Sequence, residues 1–308
     1  MNIIRHKYIF LTISGLLVAA SIVAFGLWGL RPGIDFTGGS LMEVEFSVTA
    51  PTPEKVQNAF SQLHVRDVLI QPTGERGMLI RFPHVDEAAH QQIVAGLSSL
   101  VGTPTGEASP HPLITEKRFD TIGPTIGAEL KQRAILAVIL AILAIILYVA
   151  VAFRKVSRPV ASWKYGIATL VALIHDVAIP VGAFAALGHF RGIEVDPLFI
   201  TALLTVLGFS VHDTIVVFDR IRENLYKLKS SEAFSMTVNR SINETLVRSL
   251  MTSLTVLLVL AAIFFLGGAS TRYFALALII GIIFGTYSSI FVASPILVIW
   301  SGRGLDRK

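Results

Sequence analysis

The sequence contains no cysteine, which excludes disulfide bonds and thiol chemistry. Charged residues are scarce, at 15% of the 308 residues, whereas a typical soluble protein contains about 25%. The HExxH pattern, with which a helix binds zinc in metalloproteases, is also missing. The low charge content argues against a soluble protein, and the missing pattern argues against a zinc peptidase.

Hydrophobic residues are abundant instead, at 53% of the chain. About 20 consecutive apolar residues suffice for a helix to cross roughly 30 Å of hydrocarbon. Arg5 and Lys7 precede the first such stretch, but its apolar run is longer than that of a cleavable signal peptide, so we predict a retained anchor. The sequence predicts six membrane-spanning helices, at Tyr8–Leu30, Ala134–Phe153, Tyr165–Leu187, Pro197–Phe218, Leu246–Leu266 and Tyr273–Trp300.

The distribution of Lys and Arg between the short loops indicates the orientation of the helices, because positively charged loops stay on the cytoplasmic side. Residues 154–164 contain four of them and residues 220–240 contain five, whereas residues 188–196 and 267–272 contain one each. We therefore predict that both termini are cytoplasmic and that residues 31–133 lie on the opposite side of the membrane.

The net charge of +5 is unevenly divided along the chain. Residues 31–130 contain seven Lys and Arg against twelve Asp and Glu, a balance of −5, so the remaining residues carry +10. A basic excess next to membrane helices indicates contact with the anionic inner leaflet of the lipid bilayer and requires no nucleic acid.

Between the first two spans the hydrophobic pattern changes from helical to mixed. It predicts strands at Ser40–Ser47, Arg66–Gln71, Met78–Phe82 and Leu113–Thr121, with helices at 52–64 and 86–100. This order of elements is that of a ferredoxin-like α+β domain. The domain's histidines are scattered, so we predict a surface position for each and a binding platform rather than an active site; they are His64, His84, His90 and His111.

The segment GIDFTGGS, at residues 33–40, joins the first span to this domain. Its glycines allow positive φ angles, as a flexible junction requires. Alternatively the segment is a hinge at the outer interface, in which Asp35 is tied to a neighbouring helix end beside Gly38 and Gly39. Both interpretations are compatible with the spacing.

Two His-Asp dipeptides lie within predicted spans, His175-Asp176 in the third and His212-Asp213 in the fourth. Ionisable side chains are costly inside a bilayer and therefore indicate function. Consecutive helical residues do not face the same way, so we predict no metal site. At a rise of ~1.5 Å per residue, Asp176 lies about 16 Å and Asp213 about 9 Å from the cytoplasmic ends of their spans, which argues against a proton-sharing protease pair.

Arg248 enters the fifth span at a depth similar to that of Asp213. One interpretation is an ion pair that forms and breaks as Asp213 exchanges a proton. The other is that Arg248 only snorkels towards the headgroups. Small hydroxyl residues surround both positions and indicate either close helix packing or a polar lining that holds waters; they are Ser210, Thr214, Ser249, Thr252, Ser253 and Thr255.

Three motifs carry a resemblance to a known family: GIDFTGGS after the first span, GFSVHDTIVVFDRIREN in the fourth, and NRSINETLVRSLMTSLT entering the fifth. The chain resembles the SecF branch of the SecD/SecF family, within the resistance-nodulation-division superfamily. The resemblance covers the whole chain. The DFTGG motif is common to both branches, whereas the fourth-span motif is long and specific.

The resemblance implies which residues are functional. Asp213 matches the family's essential membrane carboxylate and Arg248 its membrane arginine, so both are implied to couple proton movement. The family commonly has asparagine where this chain has His212, which is therefore a possible modifier together with Asp176 and His175. Protons are the implied coupling ion, and no other cofactor is implied.

The resemblance also implies a function, a location and partners. It implies a non-enzymatic subunit that uses the proton motive force with SecD to complete protein export, in the bacterial inner membrane with a periplasmic domain at residues 31–133. The implied partners are SecD, the SecYEG translocon, YajC, YidC and the preprotein. Two alternatives are a proton-driven small-molecule exporter of the same superfamily and a passive scaffold for SecD.

Overall fold

The computed structural model describes residues 2–101, 113–153, 161–227 and 233–305. The chain divides into two compact units, one comprising Met1–Arg31 with Ile135–Lys308 and the other comprising Pro32–Ala134. His111 lies outside the described residues, as do three of the four cations in the 154–164 loop.

The chain contains a set of long helices and one small group of strands. The helices are α1 Lys7–Trp28, α2 Ile34–Thr37, α3 Pro53–Gln62, α4 Glu87–Ser99, α5 Pro124–Ala152, α6 Ser162–Arg191, α7 Pro197–Lys227, α8 Phe234–Leu266, α9 Ala269–Ser288 and α10 Ser294–Leu305. The strands are β1 Gly39–Phe46, β2 Leu69–Thr73, β3 Gly77–Phe82 and β4 Ile114–Ile122.

The prediction of six membrane-spanning helices is confirmed. By length and composition, the described residues provide six candidate spans: α1, α5, α6, α7, α8, and α9 continued by α10. Half of the most apolar stretch is buried in α6 and in α7, against only 6% in α1 and in α5. The last span is buried still further, at 61% of its most apolar stretch. Helices α6, α7 and α9 therefore form the centre of this unit, while α1 and α5 present most of their apolar surface outwards.

The last span contains a feature that was not predicted. Between α9 and α10 the helix widens to a π-helical segment at Ser289–Ala293. The hydroxyl of Ser294 donates to the carbonyl oxygen of Ser289 at 3.0 Å. Serine hydroxyls compete for backbone carbonyls and thereby disturb regular helices. π-Helical turns occur frequently at functional sites.

The second unit has the predicted ferredoxin-like fold. Its four strands form an antiparallel sheet in the order β2-β3-β1-β4. Alternate strand residues such as Met42, Val44 and Ile80 are buried with Phe60 of α3 and Ile93 of α4. This alternation places one apolar face of the sheet against both helices. The predicted boundaries hold to within about three residues.

Two details of this unit differ from prediction. Strand β2 starts three residues later than expected, at Leu69, because Asp67 adopts a φ of 56°, which a strand does not accommodate. The prediction that His90 lies on the surface was wrong. Its side chain is buried, its Nε2 lies 2.7 Å from Glu116 Oε2, and its ring stacks on Phe119. These contacts give the buried imidazole a hydrogen-bonding partner and a stacking partner.

The junction segment is an ordered, tightly packed turn. Asp35 lies in the first turn of α2, and Gly38 and Gly39 follow it with φ angles of 73° and 127°. A Cβ atom on Gly38 would lie 2.7 Å from the Cα atom of Pro124. Glycine is therefore required at position 38 both for its backbone conformation and for the close approach of Pro124.

Candidate functional site

Asp213 is held inside the membrane unit by hydroxyl groups. Its side chain projects from α7 and is only 7% exposed. Ser249 of α8 donates a hydrogen bond of 2.6 Å to Oδ1, and Ser289 of the π segment lies 3.3 Å from Oδ2. The carboxylate thus links α7 to α8 and to the π segment. In the described part of the chain no Lys or Arg lies at ion-pair distance from it.

Asp176 on α6 is completely buried in a similar environment. Its Oδ2 accepts hydrogen bonds from Ser210 of α7 and, at 2.7 Å, from Ser288 at the end of α9. Its Oδ1 lies 2.8 Å from Nδ1 of His175. The side chain therefore has three polar partners, two of them hydroxyls.

Both carboxylates are connected to α7 and to the last span, but through different residues. Ser210 and Asp213 lie one turn apart on α7, about 4.5 Å along the axis. Ser288 and Ser289 are consecutive residues, yet the first contacts Asp176 and the second contacts Asp213. Among the described residues no hydroxyl contacts both carboxylates, so the arrangement is unlike the proton-sharing pair of an aspartic protease.

Arg248 and His212 make no hydrogen bond or ion pair with either carboxylate in the described part of the chain. Both side chains are exposed. The predicted ion pair between Arg248 and Asp213 is not formed in this conformation, because Ser249, the residue after Arg248, points into the bundle and occupies Oδ1. An ion pair in another protonation state remains a prediction.

The C-terminal part of α7 is tied to α8 by a separate polar network. Arg220 Nε donates to Glu244 Oε2 at 2.6 Å, and Asn224 Nδ2 donates to the same oxygen at 2.7 Å. Asn224 also donates to Ser241 at 3.0 Å. These contacts fix the base of the two helices that present Asp213 and Ser249.

Sequence reasoning identified Ser210 and Ser249 but missed the serines of the last span. Ser288 and Ser289 look like the small residues that allow membrane helices to pack closely. Their only distinguishing signal is that two hydroxyl residues stand side by side in an apolar span. The described residues contain no group of three His, Cys, Asp or Glu side chains that could hold a metal ion.

Comparisons with known proteins agree with this architecture. A family model described as "Protein export membrane protein SecD/SecF, C-terminal" matches residues 107–303, and a "SecD/SecF GG Motif" model matches residues 29–50. The Protein translocase subunit SecF of Thermobaculum terrenum is 42% identical, covering 100% of this chain and 96% of its own length. That of Anaerolinea thermophila is 41% identical, covering 97% and 94%.

A solved structure gives the same result. The crystal structure of SecDF from Thermus thermophilus, a translocon-associated membrane protein, matches with a TM-score of 0.79 and 35% identity. The match covers 98% of this chain but only 39% of the longer SecDF chain. A second SecDF structure, in a super-membrane-facing form, matches with a TM-score of 0.68 and 34% identity.

Fold and site together define a multi-pass membrane protein of the protein-export machinery. The chain belongs to the SecD/SecF family. Within that family it corresponds over its full length to the SecF subunit of the Sec protein translocase. It is therefore a component of protein transport rather than an enzyme.

Proposed function

We propose that this subunit, together with SecD, couples proton movement across the bacterial inner membrane to the export of preproteins. In this proposal Asp213 binds and releases the proton and Arg248 responds to the charge of Asp213. The observation that carries the proposal is the burial of Asp213 among hydroxyl groups, with no Lys or Arg of the described residues at ion-pair distance.

The physical basis is the cost of an unpaired charge in hydrocarbon. An ionised Asp213 is stabilised here by the hydroxyls of Ser249 and Ser289 and by no opposite charge among the described residues, so proton binding removes a costly charge. Protonation also converts one carboxylate oxygen from an acceptor into a donor, so a neighbouring hydroxyl has to turn. Coupling then requires that the two conformations bind the proton with different affinity.

The remaining predictions of orientation and assembly fit this proposal. Both termini would be cytoplasmic and residues 31–133 periplasmic, where the ferredoxin-like unit would meet the preprotein. The junction at Asp35, Gly38 and Gly39 would transmit movement to it. The outward apolar surfaces of α1 and α5 would face lipid or SecD. The SecYEG translocon, YajC and YidC would be the further partners.

The direct test is preprotein translocation into vesicles that contain SecYEG, SecD and this subunit, under an imposed proton gradient. Asp213→Asn should abolish the gradient-dependent part of translocation while leaving assembly with SecD intact. Asp219→Asn is a matched control, since Asp219 lies on the same helix but is exposed and pairs with Arg222. Normal gradient-dependent export by Asp213→Asn would refute the proposal.

A further inference from the structure

The third membrane helix contains a buried ionisable pair that the proposed role of Asp213 does not use. Asp176 is completely buried and His175 is 3% exposed, with Nδ1 lying 2.8 Å from Asp176 Oδ1. Within the described residues, His175 is the only basic side chain at ion-pair distance from Asp176. The charge of this pair therefore depends on how many protons it holds.

Counting protons separates two states of the pair. Neutral His175 beside ionised Asp176 has a net charge of −1, which is costly inside a membrane. One added proton makes the pair neutral overall, whether it resides on His175 as an imidazolium or on Asp176 as a carboxylic acid. The pair is thus suited to hold one exchangeable proton, taken from water and returned to it.

The surrounding hydroxyls make the deprotonated state accessible. Ser210 and Ser288 both donate to Oδ2 of Asp176. Hydrogen bonds donated to a carboxylate favour its ionised form. The site therefore contains groups that stabilise each of its two protonation states, as reversible proton binding requires.

The imidazole of His175 leaves one position open. Its Nε2 is buried and has no hydrogen-bonding partner among the described residues, although buried polar atoms are nearly always paired. The ring lies 6.0 Å from that of Tyr287, the titratable group that faces it from α9. The hydroxyl of Tyr287 is engaged elsewhere, since it donates to the carbonyl oxygen of Phe10 at 3.2 Å. Nε2 is the free position at which a proton or a water molecule can bind.

Two consecutive serines connect this pair to Asp213. Ser288 Oγ lies 2.7 Å from Asp176 and 3.0 Å from the carbonyl oxygen of Gly285. Ser289 Oγ lies 3.3 Å from Asp213 and 2.9 Å from the carbonyl oxygen of Thr286. Each hydroxyl has a single proton and donates to one acceptor at a time. The protonation state of each carboxylate therefore decides which bond its serine makes.

We propose that Asp176, paired with His175 on α6, is a second proton-binding site, coupled to Asp213 through Ser288 and Ser289 at the start of the π segment. Among the described residues, Tyr287 of α9 is the titratable side chain that faces the pair from another helix. The coupling half of this inference rests on the proposed role of Asp213, whereas proton binding by Asp176 stands independently of it.

The test is infrared difference spectroscopy of the carboxyl and imidazole bands across a pH titration, on the full chain assembled with SecD in lipid vesicles. Asp176→Asn should remove one carboxyl transition that remains in Asp213→Asn. It should also shift the midpoint of the Asp213 transition by about tenfold in proton affinity, within the usual range of coupling between sites. An unchanged set of transitions in Asp176→Asn would overturn proton binding by Asp176, and an unmoved Asp213 midpoint would overturn the coupling.

Ser288→Ala provides a second route if Asp176→Asn does not assemble. It removes a hydrogen bond to the carboxylate and should shift the Asp176 transition. Ser253→Ala is the matched control, because Ser253 is buried and bonds to Thr286 at 2.5 Å but is not a hydrogen-bonding partner of either carboxylate. Equal spectra for the two variants would also overturn the proposal. A failure of the proton-coupling function appears separately, as normal export by Asp213→Asn with the Asp176 transition still present.

Discussion

The hydroxyl of Ser249 donates a 2.6 Å hydrogen bond to the carboxylate of Asp213. A hydrogen bond to a charged group contributes about 1.5–3 kcal/mol. Ser249→Ala removes it, so Asp213 should hold its proton more tightly and the pH profile of gradient-driven export should move to higher pH. The measurement is translocation into vesicles over a pH series, with Ser253→Ala on the same helix as control. Superimposable profiles for Ser249→Ala and the wild type would contradict this relationship.

Arg248 is exposed in the chain, so its removal should leave the fold intact and affect only function. We expect Arg248→Gln to reduce gradient-driven export by at least about tenfold, equivalent to about 1.4 kcal/mol, while the export measured without a gradient is retained. Arg272→Gln, which replaces another exposed arginine, serves as control. If both variants export equally, Arg248 has only the snorkelling role.

Gly38 and Gly74 have nearly the same φ, 73° and 74°, but different surroundings. A Cβ at Gly38 would lie 2.7 Å from Pro124 Cα, whereas one at Gly74 would have nothing within 4 Å. Gly74→Ala should cost about 1–2 kcal/mol in backbone strain, and Gly38→Ala should cost about 1–3 kcal/mol more because of the steric clash. The difference in stability is measured by thermal unfolding of the two variants in the full chain, with cleavage by a protease within residues 31–133 as the signal of unfolding. Equal losses of stability in the two variants would mean that the backbone at Pro124 shifts at no cost in free energy.

A surface ion pair makes the stability of the ferredoxin-like unit depend on pH. The Lys117 ammonium, 2.6 Å from Glu45, lowers the pKa of that carboxyl below its usual value through a hydrogen bond and its charge. Because the folded pKa is depressed, the contribution is present above the unfolded pKa of about 4.3 and is lost as pH falls through the folded pKa. Lys117→Gln should reduce this acid sensitivity in thermal unfolding scans, whereas Lys55→Gln, at an exposed lysine, should not.

The sequence pattern predicted the fold because each element has a strong local signal. Alternating apolar residues in β1 and β3 identify half-buried strands, and long apolar runs identify spans. His90 was misplaced because its burial depends on Glu116 and Phe119, which belong to a strand 26 and more residues away. No local pattern reports such a contact.

The candidate site was predictable only in part. Asp213 and Asp176 stand out because ionisable residues are rare in spans. The environment of these carboxylates was not predictable, because the π segment after Ser288 results from competing hydrogen bonds rather than from hydrophobic periodicity. The position of Arg248 in its helix predicted its depth in the membrane but not the direction of its side chain. In the structure Ser249, rather than Arg248, points at Asp213.

The adjacency of Ser288 and Ser289 has a mechanical consequence. Consecutive side chains on a helix point about 100° apart, and these two reach carboxylates on α6 and α7 respectively. A rotation of the segment about its own axis that shortens one contact therefore lengthens the other. Rotation of this segment therefore cannot shorten the Ser288–Asp176 and Ser289–Asp213 contacts at the same time.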